Sequence, residues 1–257
     1  MWGKEKAIIC NKIIETYEYE HMVYHSDKNN NQENEEKNEK NKSKKENTKK
    51  RENTLKSRLL SNWRAKKTLR RIINTNAGIY RKPSGKVFPP VFLTLTFKDD
   101  IRESKKGNPK FTAFLKRLNY HFTGKGKNTL AYSGVIEFQP KSKRVHYHVI
   151  FYNLPYIPKK KLEKIWGNGF IKIKKTDNIQ NVGSYVCKYM SKSLGDARLC
   201  GQKAYFSSQG LKQPTKIIGE NAQIIIGGLK NGLKPVYEKN CENEYIGKFK
   251  YSLYRLP

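Results

Sequence analysis

The sequence predicts an α+β fold: an antiparallel β-sheet backed by helices, with a disordered charged linker near the N-terminus. Three observations carry that prediction. Short stretches with alternate apolar residues recur between helical stripes in the order β-α-β-β-α-β-α, which suits a sheet layered with helices rather than a βαβ repeat. The alternating stretches 131–139 and 144–152 are separated only by a turn around Pro140-Lys141-Ser142-Lys143, the signature of a hairpin. Residues 28–52 contain no apolar side chain, so nothing there can offset the entropy of ordering.

Residues 1–27 hold aromatics and isoleucines without a clear period and are left unplaced as an N-terminal segment. After the linker, Leu55, Leu59, Trp63, Leu69, Ile72 and Ile73 recur at helical spacing, and Gly78 supplies a stop. Lys56, Arg58, Arg64, Lys66, Lys67, Arg70 and Arg71 make the other face of this helix basic. Residues 91–97, VFLTLTF, alternate as a strand. Asn108 and Pro109 open a helix with Phe111, Phe114, Leu115, Leu118 and Phe122 on one stripe. The hairpin 131–152 follows, then a short helix from Pro158 with Leu162, Ile165 and Trp166 inward, ended by Gly167-Asn168-Gly169. Residues 170–174, FIKIK, alternate again, and a helix from about Asn178 to Leu194 closes the pattern. Beyond it, IIIGGL and the tail YIGKFKYSLYRLP read as strands. The expected organisation is therefore 1–27, the linker 28–52, a principal domain 54–215 and a strand-rich extension 216–257.

Charge narrows the partner. The chain has 53 Lys+Arg against 22 Asp+Glu, a net charge of +31. The linker holds nine Lys/Arg and six Glu, so +28 remains on the rest. A folded region this basic is built for a polyanion, because each neutralised phosphate releases condensed counterions. Cys10, Cys187, Cys200 and Cys241 lack any CxxC spacing and read as reduced thiols, neither a disulfide frame nor a zinc knuckle. No apolar run reaches the ~18 residues of a membrane span, and the N-terminus lacks the apolar core of a secretion signal. A soluble cytoplasmic protein is expected, with no membrane partner.

Two clusters carry chemistry. In His146-Tyr147-His148 both imidazoles project from one face of a strand and can grip a single metal ion. Across the hairpin, Glu137 can add an oxygen ligand, leaving coordination positions open for a substrate. By ligand chemistry alone zinc suits this set at least as well as magnesium or manganese. In NVGSYVCKYMSK (181–192), Ile179, Val182, Val186 and Met190 form the buried stripe of a helix. Tyr185 and Tyr189 lie one turn apart at its edge, beside Lys188 and Lys192. A phenol with a pKa near 10 is a poor nucleophile unless nearby cations stabilise its phenolate and the charge developing on phosphorus.

In this order, LTLTF, EFQ with RVHYHVIF, and YVCKYMSK resemble the three motifs of HUH endonucleases. More narrowly, the chain resembles the double-tyrosine rolling-circle replication initiators of single-stranded DNA phages and small plasmids. The segments NWRAKKTLRRIINTN, LEKIWGNGFIKIKK and YFSSQGLKQP extend the likeness over about residues 55–215. The resemblance implies a ferredoxin- or RRM-like sheet fold. It implies magnesium or manganese on His146, His148 and Glu137, tyrosine nucleophiles at Tyr185 and Tyr189, and an assisting lysine at Lys192 or Lys188. Lys188 and Arg144 are expected to contact DNA. The implied activity is nicking and rejoining of single-stranded origin DNA through a 5′-phosphotyrosyl link, in a bacterial host cytoplasm. The sequence holds no GxxxxGK[ST], so unwinding is expected from a host helicase and synthesis from a host polymerase. Relaxases place their tyrosine ahead of the histidines, whereas here it follows. A transposase of the same superfamily, a zinc hydrolase and a non-catalytic DNA-binding protein are the rival readings.

Overall fold

The computed structural model describes residues 1–25, 49–176, 179–192, 198 and 203–257, with side chains of 49–59 and 191–192 left out. Most of the expected linker 28–52 thus lies outside the described residues. Its last four residues form the first turn of a helix. The described residues form an α+β structure of two antiparallel five-stranded sheets and five helices. They divide into two compact units, Leu55–Gln213 and the combined segments Met1–Thr54 and Pro214–Pro257.

The central unit contains most of α1 (Lys49–Asn76), then β3 (Val91–Thr96), α2 (Ser104–Thr123), β4 (Tyr132–Phe138), β5 (Val145–Phe151), α3 (Lys159–Trp166), β6 (Ile171–Lys175), α4 (Val182–Lys192) and β7 (Phe206–Ser207). Its strands run in the order β6-β3-β5-β4-β7. The expected hairpin is present, and its turn closes with Lys143 N–H donating to the Gln139 carbonyl at 2.9 Å. Alternation sorts the strand residues onto two faces. One face sends Leu93, Leu95, Tyr147, Val149 and Phe151 against Phe111, Phe114 and Leu118 of α2 and Leu162 and Trp166 of α3. The other sends Phe92, Val135 and Ile150 against Leu69, Ile72 and Ile73 of α1 and Val182, Val186 and Met190 of α4. Each such side chain, fully buried, contributes about 1.5–3 kcal/mol against exposure.

Helices α1 and α4 cross closely because α4 has glycine at the crossing. A Cβ on Gly183 would lie 2.3 Å from the Arg70 carbonyl oxygen. The contact is bonded as well as tight: Gly183 N–H donates to Asn74 Oδ1 at 2.8 Å, and Asn74 Nδ2 donates to Asn181 Oδ1 at 3.1 Å. Asn181 also caps α4, accepting Ser184 N–H at 2.8 Å. That cap starts the helix at Val182, four residues after the expected Asn178.

Three other local expectations are corrected. Helix α2 begins at Ser104, so Pro109 sits inside it rather than opening it. Tyr147 Oη donates to Asn108 Oδ1 at 2.7 Å, and this tertiary bond anchors the extra turn ahead of the proline. Trp63, expected on the apolar stripe of α1, is 59% exposed, since the buried part of the helix begins further along, at Leu69. IIIGGL, expected as a strand, lies within helix α5 of the other unit.

That second unit comprises β1 (Trp2–Cys10), β2 (Ile13–Tyr24), β8 (Thr215–Ile218), α5 (Glu220–Gly232), β9 (Tyr237–Asn243) and β10 (Gly247–Arg255). The strands are ordered β8-β1-β2-β10-β9, so the segment that could not be placed from sequence supplies two of them, β2 at the centre of the sheet. Ala222, Ile226 and Leu229 bury at helical spacing on α5, which packs on β1 and β8. Tertiary burial here overrides the strand bias of three consecutive isoleucines. Among the described residues, Cys10, Cys187 and Cys241 are free thiols, and no helix is long and apolar enough to cross a membrane.

Candidate active site

The face of the central sheet beneath α4 gathers the chemistry-bearing residues. Strand β5 lies between β3 and β4, and pairing aligns Thr96, His146 and Glu137 in one row and Thr94, His148 and Val135 in the next. Because these residues share a face, the two imidazoles and the carboxylate rise together from the middle of the sheet. All three are buried: Glu137 is 5% exposed, His146 9% and His148 3%.

His148 is held at both ring nitrogens. Nδ1 faces the Thr94 hydroxyl at 3.1 Å, and Nε2 is in short hydrogen-bond contact with Glu137 Oε2. Its ring also stacks between two aromatics, Phe92 at 5.8 Å and Tyr189 at 3.9 Å between centroids. His146 stands beside it, ring centroids 6.4 Å apart. Burial, the neighbouring His148 and Arg144 together depress the His146 pKa, with Glu137 opposing. The site therefore favours a neutral imidazole, the form that binds metal.

Among the described residues no three His, Cys, Asp or Glu side chains are gathered closely enough to hold a metal ion. Glu137 and His148 are together, and His146 is adjacent. The donor chemistry nevertheless fits a divalent cation. A cation between Nε2 and Oε2 requires the proton on Nδ1, and the Thr94 hydroxyl can accept that proton's bond as readily as it donates in the other tautomer. Thr94 thus serves both states of the histidine.

Helix α4 brings the tyrosines to this point. Val186 and Met190 bury against the sheet, which turns Tyr185 and Tyr189 toward Phe92. The Tyr189 ring stacks on Phe92 at 5.3 Å, and Tyr185 meets the same ring edge-on at 5.3 Å. Their hydroxyls are 3.2 Å apart and hydrogen-bonded. Burial, followed by the bond to Tyr185, raises the Tyr189 pKa, so this phenol is a weak acid as it stands. Lys174 on β6 places its ammonium 4.5 Å from the centre of the Tyr185 ring.

The other expected residues are more dispersed. Lys188 is exposed on α4, and Lys192 ends that helix with its side chain outside the described set. Arg144 is engaged with Asp100, Nε to Oδ1 3.1 Å, and Asp100 also binds Arg102 at 2.9 Å. Sequence reasoning overlooked Phe92, Thr94, Lys172 and Lys174. The signal was present in the alternation of FLTLTF and IKIK, which puts each of these residues on the histidine face once the strand order is known.

Residues 90–194 match the Replication-associated protein ORF2 family. That span runs from β3 through α4 and includes every residue of the site. The chain is also 27% identical over 125 residues to the Replication-associated protein ORF2 of Spiroplasma virus 4, an alignment covering 40% of this chain and 38% of that protein. The chain thus matches well under two-thirds of this relative's length. No solved structure matches significantly. These likenesses support a replication initiator family. The charge fits them: Leu55–Gln213 carries 34 of the 53 Lys and Arg and only 7 of the 22 Asp and Glu, so nearly all of the +31 belongs to the unit with the site.

Proposed function

We propose that this protein initiates rolling-circle DNA replication by nicking and rejoining single-stranded origin DNA with a tyrosine nucleophile, as a double-tyrosine HUH endonuclease. The observation that carries this reading is the pair of hydrogen-bonded phenols packed directly against the buried His148–Glu137 contact. In the forward step the Oη of Tyr185 or Tyr189 bonds to phosphorus and the P–O3′ bond breaks. The phenolic proton is released, the 3′ oxygen takes up a proton, and the new 3′-OH can prime synthesis. The phosphotyrosyl ester retains the energy of the phosphodiester, so reversal with another 3′-OH rejoins DNA without a nucleotide cofactor.

Magnesium or manganese held by His146, His148 and Glu137 would supply Lewis-acid polarisation of the scissile phosphate. The chain's own residues do the positioning. Thr94 and Phe92 fix the His148 ring, Phe92 seats both tyrosines, and Lys174 brings a cation to the first of them. Origin DNA is the substrate, with a host helicase and polymerase acting around it, in the cytoplasm of the cell where replication runs.

The test is to incubate the protein with manganese and labelled single-stranded DNA tiled across the replicon it serves. The reading expects a covalent protein–DNA adduct that survives denaturation, with the label on a tyrosine of the 181–192 peptide. If no adduct forms, or if one persists in the Tyr185→Phe/Tyr189→Phe double variant, the reading is wrong.

A further inference from the structure

The most basic side chains on the histidine face belong to strand β6, an edge of the central sheet that the mechanism above uses only through Lys174. Lys172 and Lys174 alternate with Ile171 and Ile173, and pairing sets Lys172 opposite Thr94 and Lys174 opposite Phe92. Thr94 and Phe92 are residues of the histidine face, so both lysines stand on that face too. The position of Lys174 over the Tyr185 ring confirms the side to which it projects. Both are exposed, and β6 is the outermost strand of the sheet. Two strand spacings separate Lys172 from His148 in one row, about 10 Å between backbones. The two lysines are spaced about 7 Å along the strand.

We infer that β6 is a rail for the substrate strand, with Lys172 and Lys174 neutralising consecutive backbone phosphates beside the one cut. The inference rests on the reading of this site as a centre for single-stranded DNA and names the surface over which that strand runs. The charge complementarity is direct. A flexible ammonium neutralises phosphate as a point charge whatever the base, so such a rail tolerates any sequence. The location also discriminates between the tyrosines. A strand lying along β6 delivers its phosphate to Tyr185, the phenol beside Lys174, before Tyr189, whose ring lies flat on His148. Tyr185 is accordingly the nucleophile of the first cut. The alternative role for edge lysines is to repel other sheet edges and keep the chain monomeric.

The experiment compares the full chain with Lys172→Gln/Lys174→Gln, and with Lys105→Gln/Lys116→Gln on α2 as a charge-matched control away from the histidine face. Affinity for a labelled single-stranded oligonucleotide is followed by fluorescence anisotropy from 50 to 400 mM salt. Loss of two phosphate contacts should flatten the slope of log affinity against log salt by about 1.4, equivalent to a loss of roughly 25-fold at 0.1 M salt relative to 1 M. The control should keep the wild-type slope, and Lys174→Arg should keep it as well. A flattened slope in a protein that forms no covalent adduct still supports the rail while refuting the nicking reading. An unchanged slope in a protein that does form adducts overturns the rail alone. So does a double variant that self-associates yet binds DNA with the wild-type slope.

Discussion

Gly183→Ala is the substitution for which the structure gives opposing terms that can be weighed. Glycine inside a helix is worse than alanine by about 1 kcal/mol, so on propensity alone the change would stabilise α4. The added Cβ, however, would sit 2.3 Å from the Arg70 carbonyl oxygen and 2.7 Å from Asn74 Oδ1. Ordinary contact begins near 3.4 Å, so the helices must part by about an ångström against backbone that cannot rotate away. Overpacking of this kind costs about 1–3 kcal/mol. Parting the helices also stretches the 2.8 Å bond from Gly183 N–H to Asn74, worth about another 1 kcal/mol. The clash and the lost bond outweigh propensity, leaving a net destabilisation of about 1–3 kcal/mol. Thermal melting followed by circular dichroism should show Tm lower by roughly 3–10 °C for a unit of this size. The effect on nicking should be larger, since a 1 Å misplacement of reacting groups can cost about 10²-fold in rate. Gly227→Ala on α5, where a Cβ meets nothing within 4 Å, should be neutral or stabilising. A Gly183→Ala protein as stable and as active as wild type would refute the crossing as described.

Removing either phenol should leave some cleavage of a short oligonucleotide, and removing both should leave none. Strand transfer between two origins on one template should fall in both single variants, read by mapping the phosphotyrosyl peptide in each. Thr94→Val, nearly isosteric, should raise the manganese concentration needed for half-maximal cleavage by about 10–100-fold while DNA affinity stays unchanged; equal manganese dependence would remove Thr94 from the site. In the other unit, burial, together with Lys6 and Lys216, holds the His25 pKa down at about 4 against the usual 6.5. The unfolded chain therefore binds the proton more tightly, and stability is lost as pH falls from 6.5 toward 4. His25→Gln should flatten that part of the stability profile measured by denaturant titration, and an unchanged profile would show that another group titrates there.

Both chemical clusters were legible because each depends on a short-range rule. Alternation puts His146 and His148 on one face, and the four-residue offset puts Tyr185 and Tyr189 on one edge of a helix. The PKSK turn fixes the hairpin register and hence places Glu137 opposite His146. What joins the clusters was not legible. The contact of Tyr189 with His148 depends on α4 crossing α1 at Gly183 and on Phe92 from a strand some fifty residues away in sequence from β5. The second sheet was invisible for the same reason. Its central strand, β2, finds its β10 partner through pairs such as Tyr17 with Tyr251, over two hundred residues apart. No local pattern signals that pairing. IIIGGL shows the converse, a strong local strand signal overruled because Ala222, Ile226 and Leu229 find a sheet to cover.

The same long-range order explains why lysines distant from the motif helix matter. A sequence reading seeks the assisting cation near the tyrosines along the chain, at Lys188 or Lys192. The fold offers a nearer one from β6, since β6 and β5 both pair with β3 and α4 lies across the face they share. If Lys174 is that cation, Lys174→Met should slow the first cut while leaving Lys188→Met close to wild type, because Lys188 points to solvent on the described helix. Single-turnover cleavage at saturating DNA separates the two contributions, since a purely DNA-holding lysine raises KM and leaves the bound-state rate alone. A Lys188→Met rate loss with no Lys174→Met effect would return the role to α4. It would also mean that the phosphate reaches Tyr185 from the helix side of the cleft rather than along β6.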